Sequence, residues 1–429
     1  MISAVQILAS LLVLTCAPIL LWRRRDNVLG YVAAAVFVST YVIPLAPTLV
    51  SERFDQATIA RYADVLAVGA ATFLVGLALG AQVGRRSPTK VPLTFGRPLS
   101  EQVTALVSRR ARWIAVAGAL GLLAAFAVMG YIPLLTADRT SAKYGVGAYR
   151  AAFERGALPF RFGLAAATTP PAARGARRRA ADLALAGLLL VLLFVSLSRD
   201  AAFTGPMIFA VALAVERRWS PAVITAGVIF LFSIGSILSL ALLDSSTQGG
   251  RAVAARVAAS TPDIRDHIGF VRGFEERAEP TYGRTLLAGL APRRSDWEPS
   301  TYALRTLTGI SDLRDFASGG LRLPAPLWGY SAFGWAGGAA FSALAGLFTG
   351  WGFTKLRRLL TPALDAPHLS LALCSAVVFY EGTFGVLAEF YFLTSAVFVK
   401  VAIALAVGLA VRLVVVNGRK RSPATISAC

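Results

Sequence analysis

Residues 319–337 read Gly-Gly-Leu-Arg-Leu-Pro-Ala-Pro-Leu-Trp-Gly-Tyr-Ser-Ala-Phe-Gly-Trp-Ala-Gly. They close a polar segment that begins at Asp244 and open an apolar run that continues past Gly350. A long polar break inside an otherwise apolar chain decides the fold class. The chain has 429 residues, 56% of them hydrophobic, and a mean hydropathy of +0.63. A water-soluble domain of this length has no interior large enough for that much apolar surface. Runs of about 20 apolar residues are long enough to cross a bilayer as helices, whereas a membrane barrel shows short alternating segments. The expected class is all-α, a polytopic transmembrane helix bundle.

Working outward from the break, eleven spans are expected, at 2–22, 28–50, 63–83, 113–135, 157–173, 181–198, 201–215, 219–243, 327–353, 368–386 and 388–415. The chain then divides into an N-terminal bundle (1–243), a large extracytoplasmic loop between spans 8 and 9 (244–326) and C-terminal spans with a short cytoplasmic tail (327–429). The fifth span is short and holds Arg161 and Pro170-Pro171; the seventh is also short.

The net charge of +20 does not point to nucleic acid. Its basic residues cluster between apolar runs: Arg23–Arg25, Arg85, Arg86, Arg109, Arg110, Arg177–Arg179, Arg217, Arg218, Lys355, Arg357, Arg358, Arg419, Lys420 and Arg421. Alternating the spans puts these clusters on one side, as the positive-inside rule requires. The expected location is the plasma membrane, N-terminus outside and C-terminus cytoplasmic. The first run is followed, not preceded, by its arginines, so it reads as a retained helix and not as a cleaved signal. Trp22, Trp113, Trp219, Trp328 and Trp351 fall near span ends, which fits an interfacial aromatic belt. Cys16, Cys374 and Cys429 form neither a disulfide nor a metal framework.

Candidate chemistry lies on the outer side. Arg199-Asp200 sits between two apolar runs, where an ionisable group is costly and serves function or a partner. Arginine's planar fork suits phosphate. The loop before span 5 carries Arg139, Arg150, Glu154 and Arg155. Glu381 and Glu389 flank a Gly382-Thr-Phe-Gly385 turn expected at the outer surface, and Lys400 lies deeper in the last span. His267, one of two histidines, could act as a base near neutral pH. The long loop holds eleven arginines and ten acids, the balance of a folded, salt-bridged surface. Asp296-Trp-Glu298 is the nearest approach to a metal-binding pair. A Walker A loop and a GxGxxG are both missing from the sequence, so no nucleotide site is expected. No metal and no cofactor are expected.

The order of these features resembles the O-antigen polymerase family of oligosaccharide repeat-unit polymerases (Wzy-type). The resemblance rests on Gly130-Tyr-Ile-Pro-Leu-Leu followed by Arg139 and Tyr144, on Ser196-Leu-Ser-Arg199, and on Gly283-Arg-Thr-Leu-Leu followed by Pro292-Arg293 and Trp297. It is completed by Gly319-Gly320 and by Tyr330-Ser-Ala-Phe-Gly334-Trp-Ala-Gly337. Two departures are a Glu298-Pro step after Trp297 and the weakly apolar fifth span.

The resemblance implies a glycosyltransferase that joins repeat units carried on a polyprenyl diphosphate at the outer membrane face. Arg199, Arg139, Arg150, Arg155, Arg284 and Tyr330 would bind diphosphate or sugar. Asp200, Glu381, Glu389 and His267 are the candidates for taking the acceptor proton. Partners would be lipid-linked oligosaccharides, the bilayer, and a chain-length regulator or flippase. Alternative activities are an O-antigen-ligase-like transfer to another acceptor and a flippase or exporter of the lipid-linked glycan. On this reading the long loop covers and walls the sugar site.

Overall fold

The computed structural model describes residues 54–86, 262–290, 296–310, 323–360 and 380–394, together with Tyr41, Leu321 and parts of 113–136, 181–195 and 397–405. All regular structure among the described residues is helical. The expected spans at 2–22, 157–173, 201–215 and 219–243 lie outside these residues, as does all of the expected span at 28–50 except Tyr41.

Helix α1, Gln56–Arg86, covers the run expected at 63–83. Asp55 caps its start: the carboxylate accepts from the Thr58 backbone N–H (2.8 Å) and from its hydroxyl (2.7 Å), satisfying donors that the first turn leaves without helical partners. Arg85 and Arg86 close the last turn, favourable beside the carbonyl end of the dipole. From Val65 to Gly84 the helix holds no charge. That length, about 30 Å at 1.5 Å per residue, matches a hydrocarbon core. Helix α1 and the later helix at 325–356 are both long and apolar enough to cross a membrane. A shorter apolar helix, Ala119–Met129, falls within the span expected at 113–135.

Helices α2 (Pro262–Arg277), α3 (Thr285–Ala288) and α4 (Pro299–Thr308) come from the long polar segment. Helix α2 is amphipathic: Ile264, His267, Ile268 and Val271 are buried and share one face at helical spacing. Helix α4 is bounded at both ends. The Glu298 carboxylate accepts from Thr301, Pro299 follows it, and Gly309 turns left-handed at the C-terminus, the conformation that stops a helix without Cβ strain. The two pack so closely that a side chain at Gly273 would collide with the Thr306 carbonyl. Together α2–α4 form a cap over the end of the helix pair where α1 begins.

Helix α5, Ala325–Leu360, departs from the unbroken span expected at 327–353. Phe333 and Gly334 have non-helical angles, with Gly334 at φ 62° and ψ −147°, a region open to glycine. Gly329 and Gly337, eight residues apart, would be about 12 Å apart along a continuous helix. Instead a side chain on either would strike the other's carbonyl, and Gly338 lies against the Pro326 carbonyl. The chain therefore folds back. Residues 325–332 form a short arm, 333–334 a hairpin tip, and 335–360 the long limb. The uniformly apolar sequence hides this reversal, because hydropathy is the same on both sides of the turn.

The long limb runs parallel to α1. Side chains built at Gly69, Gly76, Gly80 and Gly84 would meet Pro326 with Ser342, Ala343, Leu347, and Thr354 with Trp351, in that order. Reciprocally, Gly346 and Gly350 lie on the Phe73 and Leu77 carbonyls. Small residues spaced by four let helix backbones touch. Val68, Val75, Leu79 and Val83 remain exposed on another face of α1.

The core joins cap, arm and pair through Tyr62, Phe270, Tyr302 and Trp328. Trp328, expected in an aromatic belt, is buried in this core instead, because the arm carries it inward between cap and bundle. The 382–385 turn, expected at the outer surface, lies beside the long limb. Helix α6 (Phe384–Ala388) packs low on the long limb, with Phe384 on Trp351 (5.0 Å between ring centroids) and Tyr380 stacked on Phe353 (4.7 Å). Those partners are some 18 residues, about 27 Å, from the hairpin tip. A 3-10 turn, Phe390–Phe392, then climbs back until Phe392 meets Trp328 at 6.0 Å.

Candidate functional site

The capped end gathers the charged and aromatic side chains. Thr281-Tyr-Gly-Arg284 makes a tight turn in which the Arg284 N–H donates to the Thr281 carbonyl at 2.9 Å. Tyr282 and Gly283 both have positive φ, 46° and 79°. The Thr281 N–H donates to the Ser331 carbonyl at 2.9 Å, which fastens the turn to the arm just before the hairpin tip. Arg284 is exposed, its guanidinium 4.6 Å from the Trp297 ring centre. Trp297 stacks on Tyr302 at 5.8 Å, and the Tyr302 hydroxyl donates to the Glu279 carbonyl at 3.1 Å. Burial pushes the Tyr302 phenol up to about 12.

A second group lies on the other flank of the tip. Glu275 of α2 pairs with Arg61 of α1 at 3.1 Å and accepts from the Tyr330 hydroxyl of the arm, also at 3.1 Å. The Arg61 guanidinium sits 5.6 Å from the Trp335 ring centre. One carboxylate thus ties three elements together. Arg61, Glu275 and Trp335 were not expected from the sequence. Arg61 follows a helix start and Glu275 stands in a run of mixed charge, so neither carries a local signal.

Of the residues expected from sequence, Arg284 and Tyr330 are both at the capped end. Tyr330 is buried and its hydroxyl is engaged with Glu275, so it acts as a tie and not as an open contact for sugar. His267 is buried, its ring 6.4 Å from that of Tyr62. Asp296 pairs with Arg305 and Glu298 caps α4, so this acid pair is occupied in holding the cap. Among the described residues no group of three potential metal ligands occurs.

Glu381 and Glu389 bracket α6: Glu381 follows Tyr380, which stacks on Phe353, whereas Glu389 precedes the 390–392 turn that reaches Trp328. The Glu389 N–H donates to Gly385 at 2.9 Å, and its carbonyl accepts from Phe392 at 2.8 Å. Both carboxylates lie near the Tyr380 phenol. The contacts of Tyr380 set Glu381 apart from Arg284 and His267. Arg139, Arg150, Arg155, Arg199, Asp200 and Lys400 lie outside the described residues.

No known protein family, curated protein or solved structure matches this chain. The functional reading therefore rests on the residues themselves.

Proposed function

We propose that the chain is a membrane glycosyltransferase that polymerises lipid-linked oligosaccharide repeat units at the outer face of the plasma membrane. The observation that carries this reading is the cap: a polar segment folded onto one end of two membrane-length helices, presenting Arg284 beside aromatic rings. Such an arrangement suits a substrate with one part in lipid and one in water. The parallel course of α1 and the long limb of α5 also supports it, since two odd-numbered spans in the expected topology run the same way.

In this reaction an acceptor hydroxyl attacks the anomeric carbon of the donor glycan. The bond from that carbon to the diphosphate breaks, and polyprenyl diphosphate leaves with the electron pair. Cleavage of the activated bond drives the step, so no nucleotide is required. Arg284, with Arg139, Arg150, Arg155 and Arg199, would neutralise the leaving group, an electrostatic role of the kind that dominates many enzymes. Asp200 or Glu389 would take the hydroxyl proton. A ligase reading would draw on His267, and the burial of that ring against Tyr62 favours the polymerase.

Deleting the gene in its host tests this reading through the surface glycan. Accumulation of single repeat units is the expected result. Long chains left on the lipid carrier would indicate a ligase, and repeat units trapped inside would indicate a flippase. Arg199→Ala is expected to abolish chain growth at normal protein level; wild-type chain length would remove Arg199 from the mechanism.

A further inference from the structure

We infer that Tyr282 and Phe333, flanked by Trp335, form a platform on which a sugar ring of the glycan stacks; the inference rests on the glycan-transfer reading above. Three independent observations converge on these rings. The first is exposure. Tyr282, Phe333 and Trp335 are 65%, 51% and 41% exposed, although large aromatics gain most when buried. The segments that carry Tyr282 and Phe333 are also neighbours. A methyl added at Gly283 would lie 3.5 Å from Phe333 Cζ, so the turn that carries Tyr282 rests on the hairpin tip that carries Phe333.

The second observation is strain. Tyr282 occupies left-handed backbone at φ 46°, where a bulky residue is a true outlier. Glycine or asparagine would fill the same place in the turn at lower cost. Tyr282 is the only non-glycine with positive φ among the described residues. A strained residue persists where the surrounding structure forces it, and such residues gather at ligand sites. Here the forcing contacts are the Arg284-to-Thr281 hydrogen bond that closes the turn and the Thr281-to-Ser331 bond that clamps it to the arm just before the tip.

The third observation is the rim. Arg61 and Glu275 are paired on one flank, and Arg284 stands next to Tyr282 on the other. A hydrocarbon occupant would leave these donors and acceptors unanswered. An isolated anion would gain nothing from the rings, and Arg61 is already answered by Glu275. A pyranose fits both features, because its C–H face covers an aromatic ring and its hydroxyls reach outward to guanidinium and carboxylate.

The test uses the full-length protein in lipid nanodiscs. The probe is oligosaccharide released by mild acid from the host's own surface polysaccharide, titrated calorimetrically. Tyr282→Gly is expected to weaken binding about tenfold, the size of one lost stacking contact, while its Tm equals or exceeds that of the wild type, because the strain is relieved. Phe333→Ala is expected to weaken binding similarly, and Tyr282→Phe to keep it. Wild-type affinity in both Tyr282→Gly and Phe333→Ala overturns the platform, as does absence of saturable binding to the wild type. A fall in affinity matched by a fall in Tm in Tyr282→Gly also overturns it, by making the ring a structural prop. Binding is read separately from surface glycan length. A gene deletion with no effect on chain length removes the transferase reading alone, and the titration still decides the platform.

Discussion

The pair of long helices and the cap over its end are held by different means. Along α1 and the long limb of α5 the contact is backbone on backbone, with Gly76 and Gly80 against the Ala343 and Leu347 carbonyls. Within the cap α2 and α4 also touch main chain at Gly273, but the cap is joined to the helices side chain on side chain, through Phe270 and Tyr302 against Trp328 of the arm. In the membrane setting proposed above, the contrast follows from surroundings. Lipid gives apolar helices no hydrophobic reason to associate, so close approach and dispersion must do it. A cap in water gains from every ring it buries. The glycine face of the pair should therefore be sensitive above all to added volume, and the ring cluster under the cap to lost volume.

Gly80→Leu is the most severe test. Its added atoms meet main chain, which cannot step aside, so no monodisperse folded protein is expected on size exclusion. A well-folded variant would mean the pair can open, and the contrast would fail. Trp328→Ala comes next. Emptying a buried indole costs about 3–5 kcal/mol, to be read as a lower Tm of the cap with the helix pair retained by circular dichroism.

Tyr302→Phe is milder. It removes the hydroxyl bond to Glu279, worth about 1 kcal/mol. It also changes the alkaline limb. The folded phenol is held near 12, above its ordinary value of 10, so as pH rises from 10 to 12 the unfolded chain ionises first and the fold loses stability. Tyr302→Phe should remove that part of the loss, seen as a flatter Tm over the same range. Arg61→Ala should change least. The pair with Glu275 is partly exposed, and such pairs contribute under about 1 kcal/mol, less in salt. A large effect there would show that the tie between cap and helices matters more than the rings.

How much of this was legible beforehand depends on the kind of signal. The runs at 56–86 and 325–360 announce themselves by hydropathy, and Pro299 and Gly309 mark α4 by residue type. Fold-back at Phe333–Gly334 was not legible, because turning an apolar helix changes neither composition nor charge. The small residues at Gly76, Gly80 and Gly84 show a spacing of four, but spacing does not name the partner, which is Ala343 and beyond. Tyr330 was recognisable as a motif residue while its use was not, since its partner Glu275 lies far away in sequence. Glu381 and Glu389 were expected near the outer surface because alternating the spans puts the turn between the last two there. The contacts of Phe384 and Tyr380 set it beside Trp351 and Phe353 of the long limb.

The glycine contact also sets an order of events during synthesis. Gly76 emerges early and cannot meet its complement until Ala343 has been made. Until then α1 holds a bare furrow that other helices could occupy wrongly. Contacts so distant in sequence close slowly, and domains made early fold first. The long limb thus locks a helix made about 250 residues earlier, so a chain truncated before residue 335 lacks the surface on which the glycine face of α1 packs.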